Sequence, residues 1–217
     1  MKERQRAKRI KEAALVYGWV LVVWGIYRFL FLLPVWVEEL LIKPVVFLGP
    51  VAWVLRREKK WWQTIGWGGD VFKAAYQGIF LGLMYGLLGL WVNYVKYGRL
   101  QLSSYGMGGG EFLVFLGLAL ATAVSEEVLF RGYLLKRLAE GLGDEEKAVV
   151  VSGALFSLIH LPIAVFVWEY GLWEVLVQLF LTLVVGWGNG FLMLKAGNVV
   201  ASIFSHAFWG VSAFLFR

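Results

Sequence analysis

The sequence predicts an all-α, polytopic membrane helix bundle of about seven spans (six to eight) with a cytoplasmic N-terminus. Three observations predict it. Hydrophobic residues make up 60% of the 217, and mean hydropathy is +0.69, beyond the range of water-soluble domains. Apolar stretches of about 20 residues, the length a helix needs to cross hydrocarbon, recur along the chain. Lysine and arginine gather at alternate breaks between those stretches, as the positive-inside rule requires.

The first span, Ala13–Leu33, follows the strongly basic Met1–Lys11. It runs too long for the apolar core of a cleaved signal and reads as a retained helix. The second, Leu40–Leu55, is the weakest: it is short, holds Lys43, Pro44 and Pro50, and begins beside Glu38 and Glu39. A re-entrant or tilted element is the alternative there. Val71–Val95, Glu111–Leu134, Ala148–Trp168, Val175–Leu194 and Val199–Phe216 complete the set. Tyr105–Gly110 reads as a flexible loop by composition. No long linker, repeat or low-complexity tract interrupts the sequence. Residues 1–217 are therefore expected to form a single membrane domain, with N-terminal helices over 1–110 and a four-helix core over 111–217. Gly78–Gly89 carries a GxxxG-like pattern that reads as a helix-packing face.

The net charge of +6 resides at segment ends, which suits anionic lipid headgroups and not nucleic acid. With the N-terminus cytoplasmic, the basic residues of Met1–Lys11, of Arg56–Lys60, of Arg131–Lys147 and Lys195 all fall on that side. Only Lys96, Arg99 and Arg217 oppose them. The chain is thus expected in the cell membrane as a multi-pass protein. Of its 12 tryptophans, Trp61, Trp62, Trp67, Trp168 and Trp173 lie near span ends and read as interfacial anchors. Arg28 and Lys43 are expected to extend toward an interface. Cysteine is absent, which excludes disulfides, a thiolate nucleophile and Cys-based zinc sites. That absence and the compact size suit a prokaryotic protein.

Glu126, Glu127 and Arg131 sit inside the fourth span, and the only two histidines, His160 and His206, sit inside the fifth and seventh. Ionisable groups in hydrocarbon cost roughly 2.5–3.5 kcal/mol each on insertion scales and so mark function. Glu127 and Arg131 are four apart, in the favourable order for an ion pair on one helix face. Glu126 is turned about 100° away and is left for chemistry. At 1.5 Å per residue, Glu126 and His206 lie roughly 10 Å, and His160 roughly 18 Å, from the cytoplasmic ends of their spans. They are therefore expected to meet in one cavity. Phe156 lies one turn from His160 on the same face, and Pro162 is expected to open the helix beside it.

Here the chain resembles a known family. EEVLFR is similar to the EExxxR motif of the CPBP (CAAX protease and bacteriocin-processing, or Abi) intramembrane proteases, FSLIH to their FxxxH motif, and KAGNVVASIFSHAF to their final histidine segment. The three motifs keep the family's order over roughly Phe112–Val211. The resemblance implies an intramembrane endopeptidase, glutamate-dependent or metallo-, whose catalytic core is 111–217. Glu126 would be the general base, His160 would assist it, and His206 would donate to the oxyanion. Glu127, Arg131 and Phe156 would support them. The expected substrate is a peptide or membrane protein, prenylated in the CAAX-type case. No cofactor is required in this reading. Zinc held by Glu126, Glu127, His160 and His206 is the alternative within it. Family members commonly carry Asn four residues after the last histidine, where this chain has Gly210. Asn189 and Asn198 are then the candidates for a second oxyanion donor. Two other classes stand beside the protease: a non-proteolytic binding or immunity protein on the same scaffold, and a proton-coupled transporter, although the repeats usual in transporters are not seen.

Overall fold

The computed structural model describes residues 3–56, 58–101 and 109–215, and every regular element among them is helical. Most of Tyr105–Gly110 lies outside the described residues. Helix α1 (Glu3–Leu30) absorbs the basic N-terminal stretch as well as the first apolar segment. After Pro34 the chain returns as one continuous helix in three parts: α2 (Val35–Val37), a π-helical segment (Glu38–Ile42) and α3 (Lys43–Leu55). A short α4 (Trp61–Thr64) precedes α5 (Val71–Tyr97). Helix α6 (Gly109–Glu127) passes through a second π-segment (Val128–Leu134) into α7 (Leu135–Leu142). Helices α8 (Glu145–Leu158), α9 (Leu161–Phe166), α10 (Leu172–Ala196) and α11 (Val199–Leu215) follow.

Local chemistry sets the boundaries. The Asp70 and Asp144 side chains accept from the backbone N–H of Lys73 and Lys147, each at 3.0 Å, capping α5 and α8. The backbone N–H of Lys147, and then its ammonium, hold the Asp144 carboxyl below its ordinary range. Helices α7 and α10 end on Gly143 and Gly197 in the left-handed region, φ 69° and 66°, where a Cβ would be strained.

Among the described residues five helical stretches are long and apolar enough to cross a membrane: Glu3–Leu30, Val71–Val95, Gly109–Leu142, Glu145–Phe166 and Leu172–Ala196. Val199–Ser212 is a shorter apolar helix. The outer surface is apolar to match, with Phe72 89% and Leu172 78% exposed. Such a surface suits lipid and not water. The chain is a multi-pass, all-helical membrane protein.

Residues 35–55 span the bundle despite their charges. Arg9 near the start of α1 lies 4.0 Å from Glu58 beyond α3, and 2.8 Å from Glu140 in α7. The far end of α3 therefore returns to the end of the bundle where α1 begins. Arg28 and Lys43 depart from expectation, since neither extends to an interface. Arg28, 3% exposed, pairs with Glu38 at 2.6 Å and lies over the Trp24 ring. Lys43, 5% exposed, pairs with Glu39 and Glu126. Carboxylates within reach inside the bundle offset the cost of burying each cation, so stretching to the surface gains nothing.

The glycine pattern in α5 is a packing face against α11. A Cβ on Gly78 would strike the Ala201 carbonyl and one on Gly82 the Phe208 side chain. Gly82→Val is therefore expected to overpack the interface by about 1–3 kcal/mol, read as a lower Tm in detergent. Leu83→Val, at a half-exposed neighbour, should melt like the wild type.

Candidate active site

Helix α6 delivers Glu126 and Glu127 at its last turn, and the π-segment that follows delivers Arg131. π-turns recur at functional sites because the wider turn re-aims side chains. Glu127 and Arg131 are completely buried and pair at 3.0 Å, while Arg131 also donates to the Gly186 carbonyl at 2.9 Å. The same Glu127 Oε1 accepts from Asn189 at 3.1 Å and from His206 Nδ1 at 2.7 Å. Glu127 thus ties together α6, α10 and α11.

Glu126 faces elsewhere. Its Oε1 lies 3.1 Å from Lys43 Nζ. Its Oε2 lies 3.8 Å from both His160 Nε2 and His206 Nε2, and has no hydrogen-bond partner among the described residues. The structure therefore gathers Glu126, His160 and His206 around one small space, each side chain at most 17% exposed.

The backbone fixes the protons on His160. Pro162 lacks an N–H and its ring opposes the carbonyl one turn back, so α8 stops at Leu158 and α9 starts at Leu161. At the break the His160 N–H bonds the Ser157 carbonyl at 3.1 Å, a tightened turn. The Phe156 carbonyl meets His160 Nδ1 instead, at 2.8 Å. A carbonyl only accepts, so Nδ1 bears the hydrogen and the neutral ring turns a lone pair at Nε2 toward Glu126. His206 obeys the same logic: Nδ1 donates to the Glu127 carboxylate, leaving Nε2 facing Glu126. For Nε2 of His206 to donate, the ring must carry both protons, and Glu127 is the counter-charge in place for that cation. Phe156 packs edge-on to both imidazoles, with ring centroids at 4.9 and 5.6 Å, and beneath the Arg131 guanidinium at 4.2 Å.

The two asparagines do not reach this space as second donors. Asn189 is spent on Glu127 and the Ser202 carbonyl, and Asn198 on the Gly68 carbonyl and the start of α11. At Gly210 a Cβ would meet only the Ala119 Cβ, at 3.8 Å, so a side chain fits there. The donors also fail to form a metal cage: among the described residues no three carboxylates and imidazoles converge as ligands. Glu127 Oε1 already has three donors, and the Lys43 ammonium stands on Glu126 where a dication would need that charge.

Lys43 and Glu39 are site neighbours that motif reading passed over. Their one signal was a lysine four residues after a glutamate within an apolar segment, the spacing of a helical ion pair. An apolar cavity of about 470 Å³ lies between α3, the tryptophans around α4 and Val128, the residue that follows Glu127 in the chain.

Residues 108–212 match the family model described as type II CAAX prenyl endopeptidase Rce1-like. The match takes in all three motif segments. Neither a curated protein nor a solved structure matches the chain.

Proposed function

From the match of residues 108–212 to the Rce1-like type II CAAX prenyl endopeptidase family model, we propose that the chain hydrolyses a peptide bond inside the membrane with water activated by Glu126 and His160. The observation that carries this reading is the free Oε2 of Glu126 facing two imidazole nitrogens at 3.8 Å. A water bridging these atoms gives one proton to Oε2 and directs the other at His160 Nε2, and its oxygen attacks the carbonyl carbon. His206, doubly protonated above Glu127, donates through Nε2 to the developing oxyanion, a contribution of about 2.7–4 kcal/mol for a well-placed donor. As the C–N bond breaks, the proton on Glu126 passes to the leaving amine. The remaining product is a carboxylic acid. No Ser or Cys nucleophile takes part and no metal is required, a reading supported by Lys43 occupying the second oxygen of Glu126.

The substrate in this reading is a prenylated peptide. Its apolar chain lies in the cavity lined by Val51, Leu55, Trp61, Trp62 and Val128, so that the scissile bond reaches Glu126. The site faces the cytoplasm, with the N-terminus on the same side, in keeping with the basic residues at that end.

The test is cleavage of farnesylated and unmodified versions of one peptide by the full chain in proteoliposomes. Wild type should cleave the farnesylated form faster, and His160→Ala should cleave neither. Ala52→Trp, which narrows the cavity from an exposed position, should raise KM for the farnesylated peptide and leave the unmodified one unchanged. Equal cleavage of both peptides would remove the prenyl assignment. No cleavage of either would favour a binding protein on this scaffold.

A further inference from the structure

Lys43 has no part in the proton transfers above, yet it is the ammonium on Glu126. Its surroundings are built. Nζ lies 3.1 Å from Glu126 Oε1 and 2.7 Å from Glu39 Oε2, and donates to Glu39 Oε1 at 3.0 Å. The Thr122 hydroxyl donates to Glu39 in turn. Thr122 and Glu126 are one turn apart on α6, and Glu39 and Lys43 are one turn apart on the helix through residues 35–55. The four side chains close a ladder with two rungs between two helices, Thr122 to Glu39 and Lys43 to Glu126. Lys43 also lies 5.6 Å from the Trp24 ring centroid.

Two physical consequences follow. A carboxylate serves as a directional base only if one oxygen is held and the other is free. Lys43 holds Oε1 and leaves Oε2 toward the imidazoles. The local charge also needs it: Glu39, Glu126 and Glu127 are three carboxylates, and among the described residues only Lys43 and Arg131 contact them as ammonium or guanidinium. Removing Lys43 would leave two anions against each other in a low-dielectric interior. Both rungs bridge to α6 from the N-terminal half, outside the matched residues 108–212.

We propose that Lys43 is a positioning residue that pairs with Glu126 and orients its free oxygen toward His160 and His206, held in turn by Glu39 and Thr122. This role rests on the proteolytic reading for its catalytic consequence but not for the pairing itself. The experiment uses the full chain with Lys43→Met, Lys43→Arg and Thr122→Val. It measures peptide hydrolysis and, separately, thermal melts of Lys43→Met in the wild-type and Glu126→Gln backgrounds.

Lys43→Met is expected to lower kcat by about 10²-fold, the scale of a misplaced catalytic group, with KM little changed. Lys43→Arg should recover most of that loss. Thr122→Val, which touches only Glu39 in the ladder, should lower kcat in the same direction with KM unchanged. The drop in Tm caused by Lys43→Met should shrink when Glu126 is already Gln. Equal drops in both backgrounds would overturn the pairing. Wild-type kcat in a folded Lys43→Met chain would overturn the positioning role, as would wild-type kcat in Thr122→Val if Lys43→Met fails to fold. If wild type hydrolyses no peptide, the proteolytic reading falls, and the Tm comparison still decides whether Lys43 holds Glu126.

Discussion

Glu126→Gln is expected to lower kcat by about 10²–10⁴-fold, the range for removal of a general base, while KM for the peptide stays close to wild type. The amide is nearly isosteric and can still accept from Lys43 through its oxygen, so the ladder to the neighbouring helix persists. What it cannot do is take a proton from water at the position that faces the two imidazoles 3.8 Å away. The variant should therefore bind peptide, fold and fail at the chemical step. A chelator such as phenanthroline should leave wild-type kcat unchanged, because the reaction is assigned to a carboxylate already paired with an ammonium. Wild-type turnover by Glu126→Gln would remove this carboxylate from the mechanism. Loss of activity on chelation, restored by zinc, would replace the proposed chemistry with a metal-assisted one.

Arg131→Met is expected to have the largest effect on stability, about 3–5 kcal/mol, measured as a fall in Tm in detergent. The guanidinium and the Glu127 carboxylate are both completely buried. Taking away the guanidinium leaves the buried Glu127 carboxylate with the Asn189 amide and the His206 ring as its donors, and empties the space over the Phe156 ring. Arg131→Met combined with Glu127→Gln should recover a substantial part of the loss, since no uncompensated charge then remains. If the double variant melts no higher than Arg131→Met, packing of the long side chain and not charge dominates at this position. His206 offers a second readout. With Glu127→Gln the counter-charge on Nδ1 disappears, so kcat should fall in that variant even when it is folded.

The Glu127–Arg131 pair, the helix break before Pro162 and the helix-packing role of Gly78 and Gly82 could all be read from the sequence. Each follows from spacing within one helix or from the geometry of one residue. The membrane class was legible for the same reason, because span length and hydropathy are local. Lys43 on Glu126 was not legible, nor was Arg28 on Glu38. Those contacts depend on how far each helix is rotated about its own axis against its neighbours, which periodicity does not specify. A lysine near a span end has two good solutions, water or a buried carboxylate, and only the packed bundle chooses between them. Asn189 is a related case: it was a candidate second donor, but its face points to Glu127 and not to the space beside Glu126. The fifth apolar segment looked like one span, and its interruption at Ile159–His160 is where the imidazole acquires its anchor.

That interruption ties the tautomer of a side chain to a hydrogen absent from the main chain. Because the helix breaks just ahead of Pro162, the carbonyl of Phe156 is released from backbone duty and becomes the group that decides which nitrogen of His160 is basic. An uninterrupted helix would hand that carbonyl to the His160 amide and leave the imidazole free to swivel. Every polar residue of the centre would still be present, but its base would have lost its aim.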